Sequence, residues 1–186
     1  MCLLLFSWVT HAEYWGPHTI ISASSDRTVG LWDARNSPSP LFVLRYHNGP
    51  ISDLYVGSRD DYQMMTAGAD GRIATWDVRY FSLGTKKKST TIRQPLTQIN
   101  HCQYKNQSGG VWLSSCLFSK SLESIGMDGI VKTWDPTTGT LRHERFLQHS
   151  DVISSYLTPI PHTTITTSWD GTLRYRSPKQ GQDYSP

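Results

Sequence analysis

The chain has 186 residues, 37% of them hydrophobic and 18% charged, and a formal net charge of +3. That length is ordinarily one domain with room for a sizeable core, so it needs no disulfide or metal staple. So mild a charge argues against nucleic-acid binding, and Cys2, Cys102 and Cys116 lack CxxC or metal-ligand spacing, which fits a reducing cytoplasmic or nuclear compartment.

The chain opens on an apolar stretch, Cys2 to Val9, broken only by Ser7. It is too short to cross a bilayer and lacks the basic flank and small-residue cleavage site of a signal peptide, so it reads as a β-strand with no membrane insertion. The next segment, SASSDRTVGLWDAR (22–35), sets a pattern: Ser22, Asp26 four residues on, and Trp32 six after that. TAGADGRIATWDVR (66–79) repeats it with Thr66, Asp70 and Trp76, and SIGMDGIVKTWDPT (124–137) with Ser124, Asp128 and Trp134. A fourth copy, TTSWDGTLRYRS (166–177), keeps Thr166 and Asp170 but has Arg176 in place of the Trp. Successive copies are offset by 44, 58 and 42 residues, two of them in the period range of a four-stranded repeat.

Within each unit the alternation of apolar and polar residues predicts short, half-buried strands and an all-β fold. In the second unit these are Ile51 to Val56, Gln63 to Gly68 and Ile73 to Val78, with a shorter fourth strand following. ADG at 69–71 and MDG at 127–129 supply turns between second and third strands. The long middle interval is explained by residues 80–110, polar and holding Gly84, Pro95, Gly109 and Gly110, which predicts an insertion lying in loops rather than strands. One domain of four units follows, approximately 1–45, 46–90, 91–145 and 146–177, with a polar tail at 178–186.

These repeated strings resemble a WD40-repeat protein, a β-propeller. The resemblance implies a buried hydrogen-bonded chain of a loop His, second-strand Ser or Thr, turn Asp and third-strand Trp. The second unit can supply all four: His47, Thr66, Asp70 and Trp76. Every polar group that such a blade buries then has a partner. The same groups suggest a hydrolase triad, but a nucleophile must be exposed beside an oxyanion hole. Thr66 would instead lie inside a strand with its oxygen committed to Trp76, so the chain is read as no enzyme. The fourth unit has His149, Thr166 and Asp170 and is one donor short. The third has Ser124, Asp128 and Trp134, with His101 too far upstream to be a secure partner. The first has Ser22, Asp26 and Trp32, with only His11 and His18 nearby, both poorly spaced. The second blade should therefore be the most rigid.

Four units do not close a typical WD40 ring, and the chain reads as starting inside a blade and ending after a third strand. An incomplete ring is expected: a fragment, or a half-ring that closes with another chain. The alternative is a compact small ring in which Cys2 to Val9 forms the missing outer strand of the last blade.

The resemblance implies a protein-interaction scaffold with protein partners, and there is no cofactor motif, phosphate loop or metal cluster. Arg35 and Arg79 each follow a Trp-Asp pair by two positions and resemble the boxes of cullin-4 ubiquitin-ligase substrate receptors. There such an arginine faces the ligase adaptor; the plain alternative is a local bond to Asp33 or Asp77. Trp169, just before the turn Asp170, is a third candidate contact for a partner, or packs on the neighbouring blade. A propeller at the end of a larger multidomain protein, such as an F-box, kinase or trafficking regulator, is the remaining reading.

Overall fold

The alternating segments pair as the sequence predicts. A computed structural model describes residues 7–35, 39–57, 62–82, 94–101, 111–116, 121–126, 128–147, 149, 153–157 and 163–176. The first sheet contains β1 (Val9–Tyr14), β2 (Thr19–Ser24), β3 (Thr28–Asp33) and β4 (Phe42–Arg45), hydrogen-bonded in that order. The second contains β5 (Ile51–Val56), β6 (Gln63–Gly68), β7 (Arg72–Asp77) and β8 (Thr97–Asn100), with a four-residue helix α1 (Arg79–Ser82) after β7. The third contains β9 (Val111–Cys116), β10 (Ser121–Gly126), β11 (Ile130–Trp134) and β12 (Leu141–Phe146). Among the described residues the fourth has three strands, β13 (Ile153–Leu157), β14 (Thr164–Ser168) and β15 (Leu173–Arg176). Every pairing is antiparallel, as short connections between consecutive strands require.

The sheets stack face to face in chain order, with β1 against β5, β5 against β9 and β9 against β13. Ile21, Leu31 and Leu44 of the first sheet pack on Leu54, Met64 and Trp76 of the second. Met65, Ile73 and Ile99 on the opposite side of the second sheet pack on Leu122 and Trp134 of the third. The second sheet thus presents one apolar face to each neighbour, and Trp76 and Trp134 are each wedged against the preceding sheet. Register makes the four sheets equivalent: Trp32 lies opposite Ile20, Trp76 opposite Met64, Trp134 opposite Leu122, and Arg176 opposite Thr164.

Two expectations are corrected. The insertion at 80–110 is not all loop, because Thr97–Asn100 forms β8 along the edge of β7. The second unit consequently runs to Asn100, and the extra residues divide between the β7–β8 and β8–β9 connections. The first sheet, moreover, has four strands among the described residues. Val9 belongs to β1 rather than to an outer strand of the fourth sheet, while Cys2 to Phe6 lie outside the described residues, as does the 178–186 tail.

The turn between second and third strands has one shape throughout. Gly71, Gly129 and Gly171 take φ of 74°, 74° and 78°, the left-handed region that glycine enters at no steric cost. The first sheet puts Arg27 there, with φ 73° and the same backbone bond, from its N–H to the Ser24 carbonyl. Among the described residues, no helix is long and apolar enough to cross a membrane.

Candidate functional site

The candidate site is built where the loop entering each sheet meets the turn leaving its second strand. In the second sheet β6 holds Thr66 fully buried, β7 holds Trp76, and the loop before β5 brings His47 over both. The Trp76 indole N–H donates to Thr66 Oγ1 at 3.0 Å, and His47 Nε2 lies 2.8 Å from the same oxygen. His47 Nδ1 lies 3.0 Å from Asp70 Oδ1. Since the ionised carboxylate only accepts, Nδ1 carries the proton, so in the neutral ring Nε2 accepts from the Thr66 hydroxyl, which in turn accepts from the indole. The Asn48 and Arg72 backbone N–H groups also donate to Asp70.

The other sheets carry versions of this set. In the third, Trp134 donates to Ser124 Oγ at 2.6 Å and His101 Nδ1 lies 2.7 Å from that oxygen. The expectation that His101 is too far upstream is thereby corrected. With β8 ending at Asn100, His101 stands where His47 stands, and the extra length falls after it. His101 Nε2 faces Asp128 Oδ1 at 3.7 Å, beyond hydrogen-bonding range, so this chain is not continuous. Buried Lys132 ties the same corner by donating to the His101 carbonyl at 2.6 Å. In the fourth sheet His149 Nε2 lies 2.8 Å from Thr166 Oγ1 and Nδ1 3.1 Å from Asp170 Oδ2, with no indole donor among the described side chains. In the first, Trp32 donates to Ser22 Oγ at 2.8 Å, while Asp26 Oδ1 accepts from the Thr28 N–H and hydroxyl. His11 lies instead on β1, 3.4 Å from Asp53 of the neighbouring sheet.

Gly68 and Gly126 escape the sequence reading. A Cβ at Gly68 would lie 2.6 Å from His47 Nδ1 and 2.7 Å from Asp70 Oδ1, and one at Gly126 would lie 2.7 Å from both Asp128 Oδ1 and His101 Nε2. Each glycine makes room for an imidazole beside a carboxylate, and Gly two residues before the turn Asp is the signal that could have shown it. Gly68→Ala is therefore expected to destabilise the fold by about 1–3 kcal/mol through overpacking, read as a lowered urea midpoint.

Burial pushes the Asp70 carboxyl up, but the hydrogen bonds from His47 and the Asn48 and Arg72 N–H groups outweigh it, so its pKa lies below the ordinary value. Asp128 follows the same balance, with the nearby His101 ring and the Ile130 N–H on the lowering side. A depressed native pKa contributes stability that is present above the unfolded carboxylate's pKa and lost as pH falls through the native one. The urea midpoint should accordingly hold near neutrality and fall below about pH 4, and Asp70→Asn should flatten part of that fall.

The arginines lie at the opposite ends of the third strands. Arg35 Nε donates to Asp33 Oδ1 at 3.0 Å and Nη2 to Oδ2 at 2.9 Å, which pulls the Asp33 carboxyl down to about 2. Arg79 repeats the fork on Asp77 at 3.0 and 2.6 Å, with its guanidinium 4.7 Å from the Tyr62 ring centre. Both arginine side chains remain largely exposed, at 63% and 60%. Trp169 is 76% exposed at the β14–β15 turn, well away from these arginines along the strands.

Four stacked antiparallel sheets with this recurring site define a β-propeller fold built of WD40 repeats. Among solved structures, the chain is similar to the WD40 repeats of RRP9, with a TM-score of 0.73 at 17% identity over 96% of this chain and 51% of that one. It is also similar to the computationally designed Ika4 protein, with a TM-score of 0.65 at 19% identity over 91% of both chains. No family model matches the sequence. Curated relatives include THO complex subunit 6 of Arabidopsis thaliana, 26% identical over 95% of this chain. Striatin-4 of Mus musculus is 25% identical over 64% of it, and telomerase protein component 1 of Rattus norvegicus 28% identical over 83%. The chain spans 55%, 16% and 6% of those three proteins' lengths, respectively.

Proposed function

We propose that this chain is a non-catalytic protein-interaction scaffold of the WD40-repeat type. The observation that carries the reading is the direction of its polar groups. The hydroxyl, imidazole and indole of the second sheet are turned on one another in the interior, and Thr66 is fully buried, which leaves no accessible nucleophile there. The recurring set serves the architecture: His47, Thr66, Asp70 and Trp76 in full, and Ser22, Asp26, Trp32, Ser124, Asp128, Trp134, His149, Thr166 and Asp170 as partial versions. Residues that differ from blade to blade stand outside, Trp169 among them. Two of the relatives are, by name, a complex subunit and a protein component. The partners are other proteins of the cytoplasm or nucleus, and the chain acts as the propeller portion of a larger protein or assembly. Its small share of the relatives' lengths supports that part of the reading. A peptide array probed with the purified chain tests the proposal. Saturable binding reduced by Trp169→Ala is expected; ester hydrolysis abolished by Thr66→Val would overturn it.

A finer reading, receptor for a cullin-4 ligase adaptor, rests on Arg35 and Arg79 standing at the same place on consecutive sheets. The fork to Asp33 or Asp77 occupies one edge of each guanidinium, so an adaptor would meet an already oriented arginine. Arg79→Ala is expected to change stability by no more than about 1 kcal/mol, as exposed ion pairs do, and to weaken adaptor capture. Unchanged capture by the Arg35→Ala, Arg79→Ala double variant would remove this reading and leave the scaffold.

A further inference from the structure

Four equivalent turns allow a comparison inside one molecule. Three carry glycine at the left-handed position, and the first carries Arg27 at φ 73°. An L side chain is strained there, and the chain's own repeats show the relaxed solution. Strain retained where glycine is the default points to a use for the side chain.

What surrounds Arg27 indicates the use. The Arg27 N–H donates to the Ser24 carbonyl, and the Ser25 N–H and Ser24 hydroxyl both donate to the Trp8 carbonyl at 2.9 and 3.2 Å. The turn therefore fixes Trp8, whose side chain is 85% exposed. On the other side, Thr28 lies directly opposite Arg45 in the β3–β4 pairing. Arg27 and Arg45 are both exposed and have no ion-pair partner among the described residues. The adjacent acid, Asp26, directs Oδ1 into the turn toward Thr28. One end of the first blade, from the start of β1 across to the end of β4, thus presents two guanidinium groups and an indole with no carboxylate among the described residues bridging them.

We infer that this end of the first blade, Trp8 with Arg27 and Arg45, is a docking site for an extended acidic peptide segment of a partner protein laid across the strand ends. A guanidinium fork matches a carboxylate with paired, charge-assisted hydrogen bonds, and an exposed indole supplies the apolar anchor found at interface hot spots. The inference rests on the scaffold reading, which makes the anion part of a protein; a chain of +3 does not call for nucleic acid.

Arg27→Gly is the discriminating variant, because it deletes the charge and restores the residue of the other three turns. A fluorescein-labelled peptide alternating Glu and Asp with Gly is titrated by anisotropy against wild type, R27G and Arg45→Gln. The controls are its Gln/Asn counterpart and an oligothymidylate of equal charge. We expect saturable binding of the acidic peptide alone, weakened roughly tenfold by each substitution, the scale of one charge-assisted contact, and weakened further by salt. R27G should melt no lower than wild type. Acidic-peptide affinity unchanged in both variants, or stronger binding of the oligothymidylate, would overturn the assignment while leaving the scaffold reading intact. Absence of saturable binding on the peptide array as well would remove both.

Discussion

Trp76→Ala is expected to lower folding stability by about 3–5 kcal/mol, the range for emptying a large buried aromatic site. The indole is 2% exposed and lies in the apolar cluster that joins the first two sheets. Its ring stands edge-on to Tyr46 with centroids 5.1 Å apart and is 6.3 Å from Phe81 of α1. Deletion leaves a cavity between two rigid sheets, which cannot collapse without moving backbone pairings on both sides. It also strips Thr66 of the N–H it accepts. Urea denaturation gives the number directly, and a loss no greater than that of Arg79→Ala would contradict the division between inner and outer residues.

Thr66→Val should cost about 2–4 kcal/mol even though it conserves shape. Valine fills the same space, so cavity terms are small and the loss isolates the hydroxyl. Without it the Trp76 N–H and His47 Nε2 are left buried and unpaired, each at about 1–3 kcal/mol. Ser22→Ala in the first sheet provides the internal comparison. Trp32 loses its acceptor there, but among the described residues no histidine is bonded to Ser22, so the loss should be about half as large. Equal losses at the two sites would mean that His47 adds nothing to its chain.

The features legible in the sequence are those with fixed spacing. Trp32, Trp76 and Trp134 could be placed from the Asp six residues before each, because a tight turn leaves no freedom between them. Strands β5 and β6 were readable from alternation, and β7 nearly so. Thr97–Asn100 was not: four residues in a polar run have neither the length nor the apolar alternation to show pairing, and only the exposed edge of β7 gives them a partner. The same strand hides His101, since a loop histidine is located by its distance from the next strand and that distance spans the insertion. Arg27 is not legible in the sequence, because a single turn without glycine reads as ordinary; what sets it apart is the positive φ it shares with Gly71, Gly129 and Gly171. The forks of Arg35 and Arg79 onto Asp33 and Asp77 follow from a two-residue spacing that the sequence did contain.

Exchange of the indole N–H protons, resolved by NMR and assigned with single Trp→Phe variants, tests the central claim most directly. If the recurring residues are interior architecture, the Trp32, Trp76 and Trp134 indoles, which donate to Ser22, Thr66 and Ser124, exchange slowly, and those of Trp8 and Trp169 exchange at the rate of free solvent-exposed indole. A Trp76 indole exchanging as fast as that of Trp169 would mean that the buried chain does not exist, and the interior reading of Thr66 and His47 would fall with it.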